Sequence, residues 1–481
     1  MNVRMGMLGV MCAGILGASA SAQAQTPPQG SPENRRLVRE IYQELIEINT
    51  TDSVGNNTQA AQAMAARLKA AGFPAEDVQV LVPTGAPKKG NLVARIHGTG
   101  ARKPILLLAH LDVVEAKRED WTRDPFKLVE ENGYFYARGA ADDKSMAAAF
   151  VADMIILKRE GFRPDRDIVL ALTSDEELGG NSEYNGVEFL LRAHKNLVNA
   201  EFALNEGGGG RVLADGRYER LNVQVSEKIY QDYRLQITNP GGHSSVPKAD
   251  NAIYRMSEAL AKIGKFTFAP LLNDGTRTYF SKAAPLNPGQ VGADMKAILS
   301  DPPDAAALAR LSENPDINAQ LRTTCVATMI DGGHAPNALP QRVTANVNCR
   351  ILPNQRPQDI QEMLAKAIDD KGISIVPVGR TTLSPPSPLT DAVMKPIESV
   401  TAAMFPGVPV IPTMAAGGTD GRFMNNDGIP TYGVSGMFNV ADSGSHGLNE
   451  RFRVNALYEG REFLYRLIKA LSTPAGAGTL Q

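Results

Sequence analysis

Five segments of the sequence carry histidine or acidic residues whose types and order could support catalysis. They are His110-Leu-Asp112, Asp142-Asp143, Asp175-Glu176-Glu177, Glu206 and Ser445-His446-Gly447. The first segment directly follows an apolar run at 105–109, and two-residue spacing in an extended chain places the side chains of His110 and Asp112 on one face. The Asp112 carboxylate can then hold the second imidazole nitrogen, as the outer partner of a metal-binding histidine usually does. This pattern favours a metal site.

Convergence of these side chains would concentrate negative charge. Asp142, Glu177 and Glu206 carry a charge of −3, and their mutual repulsion in one site would be prohibitive without a counter-charge. Two divalent cations supply +4, and the remaining charge suits a bridging hydroxide, because such a site lowers the pKa of bound water. Mixed nitrogen and oxygen ligands with open positions fit zinc best. We therefore expect two Zn²⁺ ions, for which Co²⁺ or Mn²⁺ could substitute.

Apolar runs next to these segments predict the strands of a central sheet. The runs are residues 91–97, 105–109, 168–173 and 200–204. Their apolar character is nearly continuous, which is typical of strands buried on both faces, and helical patterns such as 144–160 lie between them. We expect an α/β fold with a mixed, mostly parallel sheet flanked by helices. In such a sheet, functional groups gather where the carboxyl ends of strands open into loops.

The pattern changes near Glu227. Residues 231–238 alternate polar and apolar side chains, as expected for a sheet with one solvated face, and a Pro-, Asp- and Ala-rich helical insertion follows at 270–320. Strand patterns at 408–412 and 431–434 then rejoin the first sheet. The predicted domains are a signal peptide (1–24), a first catalytic segment (33–227), an inserted α+β lid or dimerisation domain (228–383) and a second catalytic segment (384–472).

Composition and the N-terminal residues limit the partners and the location. The 481 residues include 50 Lys and Arg against 52 Asp and Glu, a net charge of −2 that argues against a nucleic-acid-binding protein. Arg4, an apolar stretch at 8–16 and the small residues of 18–24 follow the order of a secretory signal. That stretch is too short to span a membrane, and no later segment reaches 18 uninterrupted apolar residues. We expect a protein without a membrane span, exported to the periplasm or secreted.

Export would allow two of the three cysteines to form a disulfide. Cys325 and Cys349 lie in β-rich runs that flank a turn around Asn337, so the folded-back runs place them opposite each other. In an oxidising compartment we expect a disulfide between them. Two buried free thiols are the alternative.

Five motifs occur together and in a fixed order. They are His110-Leu-Asp112-Val-Val, Arg138-Gly-Ala-Ala-Asp142-Asp-Lys144, Thr173-Ser-Asp-Glu176-Glu177, Gly241-Gly-His243-Ser-Ser and Gly417-Gly-Thr-Asp-Gly421. With them the chain resembles the di-zinc metallopeptidases grouped as metallopeptidase family twenty. That family includes glutamate carboxypeptidase, aminoacylase, succinyl-diaminopimelate desuccinylase and the Gly-X carboxypeptidases. The resemblance extends over roughly residues 35–470 and departs at Glu115, a loop position where relatives usually have proline.

The resemblance implies a metal-binding role for five residues. Asp142 would bridge the two metal ions. His110 and Glu206 would complete one metal site, and Glu177 and His446 the other. The peptide between Asp142 and the next residue would be cis, which is rare before a residue other than proline.

The resemblance also implies the catalytic and substrate-binding residues. Glu176 would be the general base and acid, and Asp112 would orient His110. His243, in the insert, would reach the active site of a partner subunit and polarise the scissile carbonyl. The implied substrate-binding residues are Asn337, Arg350, Gly417, Gly418 and Thr419. Arg350 suits the terminal carboxylate of a substrate, because its guanidinium group can donate two parallel hydrogen bonds.

The function that these features favour is cleavage of an amide bond next to a C-terminal amino acid, in a peptide or an N-acyl amino acid. Through the resemblance, Glu206 in place of Asp points to carboxypeptidases and deacylases, and the insertion at 270–320 is similar to the lid of the Gly-X carboxypeptidase and N-acyl-amino-acid hydrolase branch. An exported aminopeptidase or dipeptidase is the alternative enzyme. A non-catalytic, metal-stabilised binding protein would require loss of the base, and Glu176 is present.

The sequence is compatible with two quaternary states, a homodimer and a monomer. A His243 that acts in a partner's site implies a homodimer formed through the inserted domain. The insertion at 270–320 could instead leave a monomer that supplies His243 to its own site.

Overall fold

The computed structural model describes residues 26–179 and 182–473. The predicted signal peptide, residues 1–24, lies outside this part of the chain. Within the described residues, no helix combines the length and the apolar character needed to cross a membrane.

Strands and helices alternate along most of the chain. The strands are β1 (Val78–Leu81), β2 (Asn91–Ile96), β3 (Ile105–His110), β4 (Val129–Glu131), β5 (Tyr134–Tyr136), β6 (Ile168–Thr173), β7 (Phe202–Asn205), β8 (Gly210–Val212), β9 (Tyr218–Glu227), β10 (Ile229–Thr238), β11 (Gly242–His243), β12 (Thr324–Gly332), β13 (Ala338–Leu339), β14 (Arg342–Ile351), β15 (Ile373–Val378), β16 (Val410–Ala415), β17 (Thr431–Gly433), β18 (Phe438–Asn439) and β19 (Arg451–Arg453). The helices are α1 (Pro32–Glu47), α2 (Asn57–Ala70), α3 (Lys144–Arg159), α4 (Gly186–Ala193), α5 (Lys195–Val198), α6 (Ala252–Lys265), α7 (Asp274–Ala283), α8 (Gln290–Ala297), α9 (Ala305–Ser312), α10 (Pro315–Leu321), α11 (Pro357–Ile368), α12 (Asp391–Met404), α13 (Gly421–Asn426) and α14 (Val454–Leu471).

The central sheet confirms the expected α/β fold. Its strand order is β1-β2-β6-β3-β7-β17-β9-β8-β18, and β16 pairs with β9. The middle of the sheet is parallel, because β3 runs parallel to both β6 and β7 and β17 runs parallel to β7. Antiparallel pairs such as β2–β6 and β8–β9 make the sheet mixed.

Both faces of the central sheet are buried, as the continuous apolar runs predict. Every residue of β3 and β6 is buried. In β3, Ile105 and Leu107 belong to one apolar cluster, whereas Leu106 and Leu108 belong to a second cluster on the opposite face. Successive side chains of a strand point to opposite faces, so a helix layer must cover each of them. Helices α1, α3 and α14 contribute to the first layer, and α4 and α13 contribute to the second.

The inserted part of the chain forms a second sheet of order β12-β14-β10-β15, in which every neighbouring pair is antiparallel. Along β10, buried residues alternate with more exposed ones, so this sheet has the predicted solvated face. Helices α6 and α11 pack on its other face, and α7 to α10 form a separate apolar cluster that accounts for the helical insertion. Strand β9 ends at Glu227 and β10 begins at Ile229. The domain limits given above stay predictions.

A disulfide joins Cys325 to Cys349. Strands β12 and β14 pair in a register that sets these two residues directly opposite each other. The expected disulfide is therefore present, and the alternative of two free thiols is not what the structure has. The disulfide bond connects β12, an edge strand of the second sheet, covalently to the neighbouring strand β14.

Candidate active site

The carboxyl ends of three neighbouring parallel strands carry the predicted site residues. His110 is the last residue of β3, Glu206 follows β7, and the turn with Glu176 and Glu177 follows β6. Because β6, β3 and β7 are adjacent and parallel, these ends meet at one edge of the central sheet. The topology therefore brings together residues that lie almost 100 positions apart.

Asp142 lies between two imidazoles. Its Oδ1 atom is 3.1 Å from Nε2 of His110, and its Oδ2 atom is 3.1 Å from Nε2 of His446. The same His446 nitrogen is 3.0 Å from a Glu177 oxygen, and the His110 nitrogen is 3.8 Å from a Glu206 oxygen. The two oxygens of one carboxylate thus face two separate sets of nitrogen and oxygen atoms, which is the arrangement that a bridging ligand needs.

Two overlapping groups of side chains have ligand atoms close enough to share an ion. In each group the ligand atoms lie within 4.8 Å of one another. The groups are His110 with Asp142 and Glu177, and His110 with Glu176 and Glu206. The Asp142–Asp143 peptide is cis, as the resemblance implied.

The electrostatics of the cluster fit a bound cation. Burial raises the pKa of Glu176 and that of Glu206 well above their usual range. Hydrogen bonds to two carboxylates raise the pKa of His446 to about 10, and similar bonds outweigh burial to raise the pKa of His110. The cluster thus places several carboxylates in a buried site, where a divalent cation would neutralise their charge. The mixed nitrogen and oxygen donors are those that zinc and related cations accept.

Asp112 contacts both His110 and the turn that carries the two glutamates. The Nδ1 atom of His110 contacts the main-chain oxygen of Asp112 at 2.9 Å, whereas the Asp112 carboxylate is 3.6 Å away. The carboxylate oxygens instead accept the main-chain N–H groups of Glu176 (3.2 Å) and Glu177 (3.0 Å). Asp112 therefore contacts His110 and also fixes the turn that carries the two glutamates, and its role in orienting His110 stays a prediction.

Sequence reasoning missed Glu450, which is fully buried. Its carboxylate accepts the N–H groups of Gly139 (3.1 Å), Ala141 (2.7 Å) and Asp142 (3.2 Å). It thus holds the loop that presents the central carboxylate of the cluster. Ordered partners behind a metal ligand fix its orientation, and they contribute to metal affinity for that reason.

Arg138 connects Glu450 to the loop that carries His446. Its Nη1 atom donates to Glu450 at 2.7 Å, and its Nη2 atom donates to the carbonyl of Gly447 at 2.9 Å. Gly447 follows His446, so one buried ion pair connects the loops of two site residues. Arg138 belongs to a motif noted in the sequence, and a buried arginine needs an acidic partner, which is the signal that could have led to Glu450.

The loop with Gly417, Gly418 and Thr419 is also held by a buried acid. Glu227 accepts the N–H of Thr419 at 2.7 Å and its hydroxyl at 3.1 Å. Asp420, the next residue, accepts the hydroxyl of Thr173 at the end of β6. The loop is thereby fixed beside the turn that carries the two glutamates.

The predicted site residues of the insert lie in two places. His243 and Asn337 are neighbours at the small two-stranded sheet of β11 and β13, where the carbonyl of Asn337 accepts the N–H of Ser244 at 3.0 Å. Both are exposed, and the His243 imidazole contacts the Ser245 hydroxyl at 2.7 Å rather than the converging carboxylates. Arg350, on β14, lies over the ring of Tyr230 at 4.7 Å.

The chain is similar in sequence and in fold to known proteins. The model of the peptidase family M20/M25/M40 matches residues 106–470. The chain is 27% identical to the mouse (Mus musculus) N-fatty-acyl-amino acid synthase/hydrolase PM20D1 over 467 residues, which cover 94% of this chain and 91% of that protein. It is 29% identical to the Dictyostelium discoideum protein named probable carboxypeptidase S-like 2, over 76% of this chain and 71% of that one. Among solved structures, the M20 family metallo-carboxypeptidase Sso-CP2 of Sulfolobus solfataricus superposes with a TM-score of 0.63, at 20% identity, over 90% of this chain and 99% of that chain.

Replacing Glu450 by glutamine tests its support of the cluster. A glutamine amide has one acceptor oxygen, so it cannot accept all the N–H groups that Glu450 accepts, and Arg138 loses its counter-charge. We expect affinity for Zn²⁺ to fall about 10- to 100-fold, as measured by calorimetric titration of the metal-free protein. Glu459→Gln is the matched control, because Glu459 is equally buried and bonds to Tyr218. Unchanged zinc affinity in Glu450→Gln would contradict the role.

Proposed function

The chain belongs to the peptidase family M20/M25/M40, and we propose that it is an exported di-zinc hydrolase that removes a C-terminal amino acid from a peptide or an acyl group from an N-acyl amino acid. It is a metallo-amidohydrolase with carboxypeptidase and N-fatty-acyl-amino acid hydrolase relatives. The observation that carries the proposal is Asp142, whose two oxygens each lie 3.1 Å from a different imidazole.

The residues of the cluster divide into two metal sites. His110 and Glu206 would hold one cation, Glu177 and His446 would hold the other, and Asp142 would bind both. Zinc is the ion we propose, with Co²⁺ or Mn²⁺ as substitutes, because the donors are imidazole nitrogens and carboxylate oxygens. When bound, such cations polarise an amide carbonyl and lower the pKa of a water molecule.

Glu176 is the proposed general base and acid. It is 8% exposed, and its ligand atoms lie in the same group as those of His110 and Glu206. The hydrogen bond from its N–H to the Asp112 carboxylate fixes the main chain at this point. Burial raises the pKa of Glu176, which strengthens it as a base for the proton of water. The carboxyl group would then deliver that proton to the leaving amine.

The C-terminal carboxylate of the substrate is the group we assign to Arg350. A guanidinium group matches a carboxylate through two parallel hydrogen bonds. Asn337 and the main chain of Gly417, Gly418 and Thr419 would complete this side of the substrate site. The names of the two relatives describe a carboxypeptidase and an N-fatty-acyl-amino acid hydrolase, and both kinds of reaction release an amino acid with a free carboxylate.

His243 is proposed to act in the active site of a second subunit of a homodimer. Its exposed position on β11, next to Asn337, leaves the side chain available to a partner. The edge strand β12 of the insert exposes Val326, Met329 and Ile330. Exposed apolar side chains on an unpaired edge favour pairing with another chain, so this strand is a suitable dimer contact.

Export to the periplasm or the extracellular space is the proposed location. The order of basic, apolar and small residues at 1–24 supports it. The disulfide between Cys325 and Cys349 is of the kind that persists in oxidising compartments.

Matched dipeptides test the substrate class. We expect hydrolysis of dipeptides with a blocked amino terminus, loss of that activity with EDTA and recovery with Zn²⁺, because the scissile bond needs the metal cluster but no free amine. Release of the C-terminal amino acid by mass spectrometry is the measurement. If only dipeptides with a free amine are cleaved, the protein is an aminopeptidase or dipeptidase instead.

Replacing Glu176 by glutamine tests the base. The variant keeps every proposed metal ligand, so we expect unchanged zinc stoichiometry and a fall in kcat of about 10²- to 10⁴-fold. Glu188→Gln, on α4, controls for the substitution itself. Turnover at the wild-type rate would remove Glu176 from its role.

Mixing two inactive variants tests the dimer. Glu176→Gln and His243→Ala should each be inactive alone. In a mixed dimer, the His243→Ala subunit keeps its own Glu176 and receives an intact histidine from its partner, so activity should return after the subunits exchange. Activity that stays absent in a mixture shown to contain mixed dimers would place His243 in the site of its own chain.

A further inference from the structure

The turn that carries Glu176 and Glu177 begins with a residue in an uncommon backbone conformation. Asp175 has a φ angle of +63°, in the left-handed region, which is unfavourable for a residue with a side chain unless surrounding contacts hold it. Asp175 is also buried, with 1% of its surface exposed. Because it directly precedes the proposed base, the bend of the main chain at Asp175 sets where the two glutamates lie. The contacts of Asp175 therefore determine part of the geometry of the cluster.

The segment 89–91, at the start of β2, lies beside this turn. Strands β2 and β6 are antiparallel, and their last pair before the turn joins Leu92 to Leu172. Continuing that register by three residues on each strand sets Lys89 opposite Asp175. The main-chain ladder ends before that point, where the chain enters the left-handed turn. Side chains from the start of β2 then make the contacts that main-chain pairing no longer supplies.

Three hydrogen bonds attach the turn to this segment. The Oδ1 atom of Asn91 accepts the N–H of Ser174 at 3.0 Å, and the Ser174 hydroxyl donates to the carbonyl of Lys89 at 3.2 Å. The Nζ atom of Lys89 donates to Oδ1 of Asp175 at 2.6 Å. The other oxygen of Asp175 accepts the hydroxyl of Ser182, also at 2.6 Å. Both oxygens of this buried carboxylate therefore have partners.

The ion pair between Lys89 and Asp175 is the charged contact of this set. The Asp175 side chain is buried, whereas that of Asp52, the second acid to which Lys89 donates, is 51% exposed. Among the described residues, no other basic side chain forms an ion pair with Asp175. An ionised carboxylate that is buried without its cation is strongly unfavourable, whereas an exposed carboxylate without its cation is solvated by water. Loss of the Lys89 charge would therefore destabilise the turn at Asp175 more than the contact at Asp52.

We propose that Lys89 is a positioning residue, which through its ion pair with Asp175 holds the turn that presents Glu176 and Glu177 to the cluster. This inference rests on the proposed function, in which Glu176 is the general base. Asp112 accepts the N–H groups of the two glutamates, and Lys89 holds the residue before them, so the turn is fixed at two points. A base must lie within hydrogen-bond reach of the proton that it takes, so the rate depends on where this turn is held.

Lys89→Met tests the inference, because methionine is similarly unbranched and carries no charge. With a blocked dipeptide as substrate, we expect kcat per zinc-loaded protein to fall about 10- to 100-fold and KM to change little, because a displaced base slows the reaction without removing a substrate contact. Lys88→Met is the matched control, because Lys88 is the preceding residue, is exposed and forms no ion pair among the described residues. An unchanged kcat per zinc-loaded protein would overturn the inference, even if the yield of folded protein falls.

A second variant keeps the test valid if Lys89→Met folds poorly. Asparagine tolerates the left-handed conformation and needs no counter-charge, so Asp175→Asn removes the need for the ion pair. In the Asp175→Asn background, Lys89→Met should change kcat by no more than about twofold, because residues that act through each other have non-additive effects. A further loss of about tenfold in the double variant would show that Lys89 does not act through Asp175 and would overturn the proposal.

Hydrogen exchange separates this inference from the proposed function, because it needs no substrate. In zinc-loaded protein, amide exchange in peptides that contain residues 174–177, measured by mass spectrometry, should be about tenfold faster in Lys89→Met than in the wild type or Lys88→Met. Equal exchange in the three proteins would overturn the inference, whether or not dipeptides are cleaved. If exchange is faster in Lys89→Met but the wild-type protein cleaves no dipeptide, the proposed function fails and the role of Lys89 in holding the turn is supported.

Discussion

The concentration of buried carboxylates at one edge of the central sheet is the constraint on which the site depends. Parallel pairing of β6, β3 and β7 forces the residues after these strands into one place. Asp142 then lies between the imidazoles of His110 and His446, with further acids around it. Such a set of charges is unfavourable in a protein interior unless cations neutralise it. Metal ions bound by these residues would offset that cost, because binding to the folded site alone favours folding.

The loops of the site are supported by acids that contact main chain. Glu450 accepts amides of the loop before α3, Asp112 accepts those of the two glutamates, and Glu227 accepts that of Thr419. A carboxylate that accepts several N–H groups replaces a network of water and fixes the loop in one conformation. Rigid loops keep the potential ligand atoms in place, so these outer residues fix the geometry of the site.

Residues at the junction between the two sheets contact both the loops of the site and the insert. Glu227, at the end of β9, holds the loop of Thr419, and the next residue, Lys228, donates from its buried amino group to the carbonyl of Arg322 at 2.8 Å. Burial lowers the pKa of Lys228 to about 8. Two adjacent residues, Glu227 and Lys228, thus hold the loop of Thr419 and the segment that leads into β12, respectively. The insert contains Arg350 and the strand with His243, whereas the central sheet and its loops contain the cluster.

The sequence by itself determined the α/β class, because continuous apolar runs such as that of β3 are compatible only with strands covered on both faces. It also determined the cluster residues, because His110, Glu177 and Glu206 stand at or just after the ends of such runs, and the motifs made the family recognisable. It left Glu450 unrecognised, and it did not show that the Asp112 carboxylate accepts hydrogen bonds from the main chain of the turn with the two glutamates. Only the tertiary structure decided these points, because a buried carboxylate takes the partners that packing brings to it, and those partners are 64 residues away for Asp112 and more than 300 for Glu450. Local spacing limits which side chains share a face, but it cannot specify which distant main-chain groups will lack water and need an acceptor.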